Sequence, residues 1–307
     1  MGIATRVWAF SLATTFTLVA TFTVSSALGA ETAAEAAAPA AAERDGVVDG
    51  AFEAVGSTAV RFATDFHEQL SYPFALAGRD RSKFLFGTAG IVALVLTDRL
   101  TYGPMADPPF ATRDELIGPA QTISDFGSTR NALPLVLGIG VVGLITDSHR
   151  EKQTSIMLAE ALVTSAVWTS LLKYATGRER PREIEGAAAD WTGPGGVFES
   201  EHMGEGRRSF PSGHATGIWA TATVLAHQYP RGRIVPTLAY GSAVAVSYSR
   251  MVVSAHWLSD VVVGGLIGYG CARQVIGAHA RAEGPSRFHF LYEPAGDEQR
   301  IGLSMDF

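Results

Sequence analysis

Six long apolar stretches constrain this chain more than any other feature: residues 84–97, 133–146, 156–172, 215–226, 234–248 and, with interruptions, 257–276. Their length and their Ala, Leu and Gly content favour helices, and no block of alternating residues among them is long enough for a central sheet. The expected fold class is therefore all-α, a helical bundle. Runs of 10–14 apolar residues are commonly core helices, and about 20 are needed to cross a bilayer. Lengths between these limits fit both a compact bundle and one embedded in a membrane with short helices. Two stretches run into Asp98 and Asp147, and a third carries Glu160 in its first half. A carboxylate at that depth is costly in lipid unless it faces the bundle interior, so Glu160 is expected to be a satisfied buried polar group.

The two ends have a different character. Arg6 is followed by an apolar run over residues 7–24 and then by Ser25, Ser26, Ala27, Gly29 and Ala30. This order of basic, apolar and small residues predicts a secretory signal peptide over residues 1–30, cleaved near 27–30, with an uncleaved anchor as the competing reading. Residues 31–44 are dominated by Ala, with Glu and one Pro and no bulky apolar side chain, and are expected to form a linker. Residues 45–280 are expected to hold the helical domain. In the tail, 281–307, Phe288, Phe290 and Tyr292 alternate with polar neighbours, as do Ile301, Leu303, Met305 and Phe307. Pro294, Ala295, Gly296 and Asp297 lie between them as turn chemistry, which predicts a short β-hairpin. A terminal Phe after alternation also resembles the last strand of outer-membrane barrels, but two strands cannot close a barrel.

Charge and cysteine content exclude some functions. The formal charge of −6 becomes −7 without the signal, since Arg6 is the one charged residue it carries. Such a chain is not a nucleic-acid binder by bulk electrostatics, and any anion must be gathered by a local cluster of Lys and Arg. With Cys271 as the single cysteine, an intramolecular disulfide is impossible and a cysteine-based metal site is not expected.

Three clusters interrupt the apolar background. The first runs Lys173, Tyr174, Ala175, Thr176, Gly177, Arg178, Glu179, Arg180, Pro181. Lys173 and Arg180 share a face if the helix continues, and converge from a helix end and a loop if Gly177 ends it. Lys offers a point charge and Arg a planar fork, both suited to phosphate oxygens, although basic residues also commonly end helices. In the second cluster, Pro211, Ser212, Gly213 and His214 precede the stretch 215–226, placing Ser212 as an N-cap. Free backbone N–H groups at a helix start cradle anions, and Gly213 lets the backbone come close to one. His214 is then placed to donate a proton, or is simply an exposed histidine on a capped helix. The third cluster holds Ser249, Arg250, His256 and Asp260. His256 and Asp260 are four apart, so on a helix face the carboxylate would accept from one ring nitrogen and leave the other free to attack. A surface His/Asp pair is the plainer alternative.

Taken together, the three clusters resemble the signature of the type 2 phosphatidic acid phosphatase and vanadium haloperoxidase superfamily: Lys, six residues, Arg-Pro; Pro-Ser-Gly-His; then Ser-Arg, five residues, His, three residues, Asp. Every defining position is met, and the resemblance spans residues 159–276. It implies a helical bundle in which Lys173, Arg180 and Arg250 bind phosphate oxygens and Ser212 with the Gly213 amide completes the cradle. It further implies His256 as the nucleophile forming a phosphohistidine, Asp260 as its orienting group and His214 as proton donor to the leaving group. No cofactor and no metal are implied, which agrees with the lack of a dedicated metal-ligand pattern in the sequence.

The implied function is a phosphatase for phosphomonoesters or pyrophosphates. Lipid substrates and membrane association are favoured by the apolar helices, with the site facing the periplasm. The nearest alternative is a soluble periplasmic broad-specificity acid phosphatase. A vanadate-dependent haloperoxidase and a non-catalytic phosphate-binding module are more remote. Residues 182–210, rich in Gly and carrying Trp191, Phe198 and His202, lie between two motifs and are expected to form a lid or substrate-selecting loop.

Overall fold

The computed structural model of the chain describes residues 78–106, 112–183, 191–198 and 205–282, and the backbone of 288–295 and 298–305. The signal segment 1–30 and the linker 31–44 lie outside the described residues, as does His202.

The domain is mainly helical. Its helices are α1 (Gly78–Ala106), α2 (Arg113–Phe126), α3 (Thr129–Ile145), α4 (His149–Thr176), the short α5 (Gly193–Phe198), α6 (Gly213–Gln228), α7 (Ile234–Val252) and α8 (Leu258–Ala282). The six apolar stretches map in order onto α1, α3, α4, α6, α7 and α8. Helix α2 was not expected, because Gly118, Pro119 and its polar residues break up the apolar signal. Its start nevertheless carries a readable capping box, in which the Thr112 backbone N–H donates to Glu115 Oε2 at 2.9 Å.

Val136, Leu158, Val224 and Val275, from α3, α4, α6 and α8, meet in the main core. The approach of α8 to α6 depends on two glycines four apart. A Cβ on Gly264 would lie 2.5 Å from the Ser212 carbonyl oxygen, and one on Gly268 2.1 Å from that of Thr216. Small residues at this spacing allow helix backbones to pack closely.

Segments Arg81–Pro104, His149–Thr176 and Leu258–Arg281 are long and apolar enough to cross a membrane. Along α1, Phe86, Leu96 and Leu100 are 77%, 77% and 76% exposed. An apolar face this open fits association with a membrane. The carboxylates that interrupt these helices turn inward or leave the bundle. Asp98 is buried, Glu160 Oε2 lies 2.6 Å from His279 Nε2 of α8, and Asp147, between α3 and α4, pairs with Lys152.

Candidate active site

The site forms where α4 and α7 end and α6 and α8 begin. Gly177 stops α4 in the left-handed conformation, φ 56° and ψ 37°, where glycine is favoured. A Cβ there would also meet the Gly193 carbonyl oxygen at 2.3 Å. The chain therefore turns out of the helix, and Lys173 and Arg180 approach the site from a helix end and a loop. Lys173 Nζ donates to the Arg208 carbonyl at 2.6 Å, and Arg180 Nη1 to that of Ala255 at 3.3 Å.

Ser212 caps α6, its Oγ accepting from the Ala215 N–H at 3.4 Å. Its own N–H donates to the Asp260 carbonyl at 2.9 Å, which joins the start of α6 to the first turn of α8. A Cβ on Gly213 would sit 3.9 Å from Lys173 Cε, so the free amides at this helix start open beside a cationic side chain. Arg250, in the last turn of α7, donates through Nη1 to Ser124 Oγ of α2.

His256 departs from the local structure expected for it. It lies in the turn before α8, after Ser254 with φ 54°, and so shares no helix face with Asp260. Its Nδ1 is 3.6 Å from Asp260 Oδ2, an ion-pair separation that is too long for a hydrogen bond. Oδ2 is occupied instead by the Trp257 N–H at 2.9 Å and by Ser209 Oγ at 2.5 Å. Asp260 caps the start of its own helix, and the buried His256 Nδ1 makes no hydrogen bond among the described residues.

Both histidines are depressed in basicity. Burial, with Lys173, Arg180, Arg250 and His214 around it, holds His256 well below the ordinary histidine range. Burial and then Arg250, Lys173 and Arg180 push His214 down to about 4. An imidazole kept neutral by nearby cations retains a free lone pair, as a nucleophile requires. Among the described residues, no group of three or more His, Cys, Asp or Glu is placed to hold a metal ion.

One part of the site was not foreseen. Arg178 is buried, and its guanidinium bonds Asp260 Oδ1 and Asp98 Oδ2, both at 2.6 Å, and Ser259 Oγ at 2.7 Å. The rings of Trp191 and Trp257 lie 4.7 and 5.3 Å from its central carbon. Trp191 thus reaches the site from the segment 182–210, of which residues 184–190 and 199–204 are outside the described part.

Residues 154–282 match the family model of the PAP2 superfamily, the segment that carries all three motifs. Among curated relatives, the undecaprenyl-diphosphatase of Sulfolobus acidocaldarius is 30% identical over 130 residues, covering 42% of this chain and 57% of that protein. The lipid A 1-phosphatase of Rhizobium johnstonii is 33% identical over 103 residues, covering 34% and 38%. The chain thus spans only about half the length, or less, of the curated relatives it matches. Among solved structures, a phosphatidylglycerolphosphate phosphatase from Bacillus subtilis aligns with a TM-score of 0.44 at 18% identity, over 73% of this chain and 98% of that one. Aquifex aeolicus LpxE aligns with a TM-score of 0.42 at 22% identity, over 57% and 92%.

Proposed function

We propose that this chain is a metal-independent phosphatase for lipid phosphates or lipid-linked pyrophosphates, working through a phosphohistidine on His256. The observation that carries the reading is the meeting, at one end of the bundle, of Lys173, Arg180, Arg250, His214 and His256 beside the N-terminus of α6. The names of the curated relatives, phosphatases of lipid-linked groups, support it.

In this reading Lys173, Arg180 and Arg250 hold the phosphate oxygens, with Ser212 and the Gly213 amide closing the cradle. His256 keeps its proton on Nδ1, toward Asp260, and its Nε2 lone pair forms the N–P bond. The P–O bond to the leaving group breaks, and that oxygen takes its proton from His214. A water then loses a proton to His214 as its oxygen attacks phosphorus, the N–P bond breaks, and inorganic phosphate leaves with His256 restored. Charge building on the equatorial oxygens is met by the fixed cations.

Export and a site facing the periplasm belong to the same proposal, supported by the signal-like residues 1–30, and accessibility labelling near Phe210 tests the orientation. So does the C-terminal hairpin, supported by the antiparallel facing of Phe288–Ala295 and Glu298–Met305.

The deciding experiment compares His256→Ala and His214→Ala on an alkyl phosphate and on p-nitrophenyl phosphate. Loss of the nucleophile abolishes both reactions and all phosphoenzyme. Loss of the acid costs about 10²–10⁴-fold on the alkyl ester. It costs far less on p-nitrophenyl phosphate, whose phenolate leaves unassisted. Equal chemical-step losses on both esters, or a phosphate trapped on His214, would refute the assignment.

A further inference from the structure

Arg178 lies within the first motif but is none of its phosphate ligands, and its surroundings explain why. Nη1 donates to Asp260 Oδ1 and Ser259 Oγ, and Nη2 donates to Asp98 Oδ2. The fork that would grip a phosphate is therefore committed to two buried carboxylates. Asp98 comes from α1, outside the segment 154–282 that matches the family model. It also accepts from the Ser259 N–H at 2.9 Å through Oδ1 and from Ser259 Oγ at 2.5 Å through Oδ2. Asp98 thus caps the start of α8 from a different helix and grips Arg178 at once. Two Trp rings and three hydrogen-bonded side chains leave the guanidinium little freedom to turn.

The consequence falls on Asp260. Its Oδ1 is fixed by Arg178, and its Oδ2 by Ser209 Oγ and the Trp257 N–H. The edge of the carboxylate facing His256 is the Oδ2 edge, 3.6 Å from Nδ1. A rotation about the Asp260 side chain would move that edge away, and the Arg178 contact opposes it.

We propose that Arg178, clamped by Asp98, is a positioning residue for the reaction: it fixes the carboxylate of Asp260 and, through it, the attacking geometry of His256. Asp98 is the second member of the clamp. The inference rests on the phosphohistidine reading, because it assigns these residues to the chemical step and not to phosphate binding.

The test is a set of variants in the full chain, assayed for turnover, KM and inhibition by orthovanadate. Arg178→Met alone leaves two carboxylates buried without a cation, a situation that can prevent folding. The double variant Arg178→Met/Asp98→Asn removes one charge of each sign, and Arg178→Lys keeps the charge while losing the fork. A small misplacement of a reacting group costs about 10²-fold, so the double variant is expected to lose about that factor in turnover. Arg178→Lys and Asp98→Asn are each expected to lose about 10-fold, by the usual weight of a supporting contact. In all of them KM and the orthovanadate inhibition constant stay within about 2-fold, since the cradle is intact. Added to Asp260→Asn, the double substitution lowers turnover by less than about 3-fold more, because both act through one carboxylate.

Turnover unchanged in the double variant overturns the inference, as does a loss of vanadate affinity parallel to the loss of turnover, or full additivity with Asp260→Asn. These outcomes leave the phosphatase reading standing. A wild-type protein inert toward every lipid and soluble phosphoester sinks that reading and this inference with it.

Discussion

The depressed basicity of His214 makes a prediction about when it carries its proton. In the ligand-free site burial and three cations hold it at about 4. At pH 6 such a group is about 1% protonated, too little for a general acid. A bound phosphate or orthovanadate reverses the local field: an opposite charge within about 4–6 Å raises a histidine by about 1–3 units. The group should therefore titrate at about 5–7 when the cradle is filled, so that the substrate's own charge loads the acid that expels its leaving group. Histidine-labelled protein in detergent micelles, followed by NMR against pH with and without orthovanadate, reads this directly, and His214→Asn assigns the signal. A His214 signal already protonated at pH 6 without ligand, or one that stays near 4 with vanadate bound, would refute the reasoning. The sign also fixes a stability trend. With the folded value below the unfolded one of about 6.5, the unfolded chain binds more protons in the window between them. The ligand-free protein should thus lose stability as pH falls from about 6.5 to about 4, by up to about 3 kcal/mol from this group.

Three further outcomes are expected. EDTA leaves phosphatase activity intact while orthovanadate inhibits it, because Lys173, Arg180, Arg250 and the α6 N-terminus supply the positive charge; activity lost in EDTA and restored by magnesium would contradict the mechanism. Arg250→Lys keeps the charge but loses the fork and the Ser124 contact, and turnover should fall by about 10–10³-fold; unchanged turnover would reduce Arg250 to steering. Gly268→Ala should lower thermal stability by about 1–2 kcal/mol, since crowding against the Thr216 carbonyl outweighs the helix propensity gained. Gly270→Ala, with open space around its Cβ, should be neutral or stabilising.

The helices and the motif residues were legible because both depend on local sequence. Six apolar stretches correspond to six helices, and Ser212 before Gly213 reads locally as the N-cap that it is in α6. The candidate phosphate-binding residues stand out in the sequence because the motifs put Lys, Arg and a capping Ser at or just beyond helix ends. The clamp does not. Arg178 stands in a run of charged residues that names no partner, and Asp98 lies 80 residues upstream of it. Ser124, which holds Arg250, is 126 residues away from it. Such pairs exist only after the helices dock, and no local periodicity encodes them. The relation of His256 to Asp260 differs from the helical expectation for a related reason. A spacing of four implies a shared face only if both residues are helical, and the turn at Ser254 ends that condition before His256.

The clamp also bears on how one site can serve two opposed electrostatic needs. A phosphate cradle calls for positive charge, and a carboxylate facing it alone would cancel part of the field of Lys173, Arg180 and Arg250. Arg178 stands on the far side of Asp260 and ties that charge into a buried pair, so the cations remain available to phosphate oxygens. In the proposed mechanism, moreover, the His256 ring itself becomes positive once Nε2 bonds phosphorus, among cations that already oppose its protonation. Two carboxylates around one guanidinium leave one net negative charge behind the ring, and it is fixed in place before the reaction begins. A preorganised charge of this kind stabilises the developing imidazolium without reorganisation. Asp98 supplies that excess. With Asp98 neutralised, Arg178 and Asp260 would balance, and the ring would face the cations uncompensated, which is why its removal should slow the chemical step while leaving phosphate affinity alone.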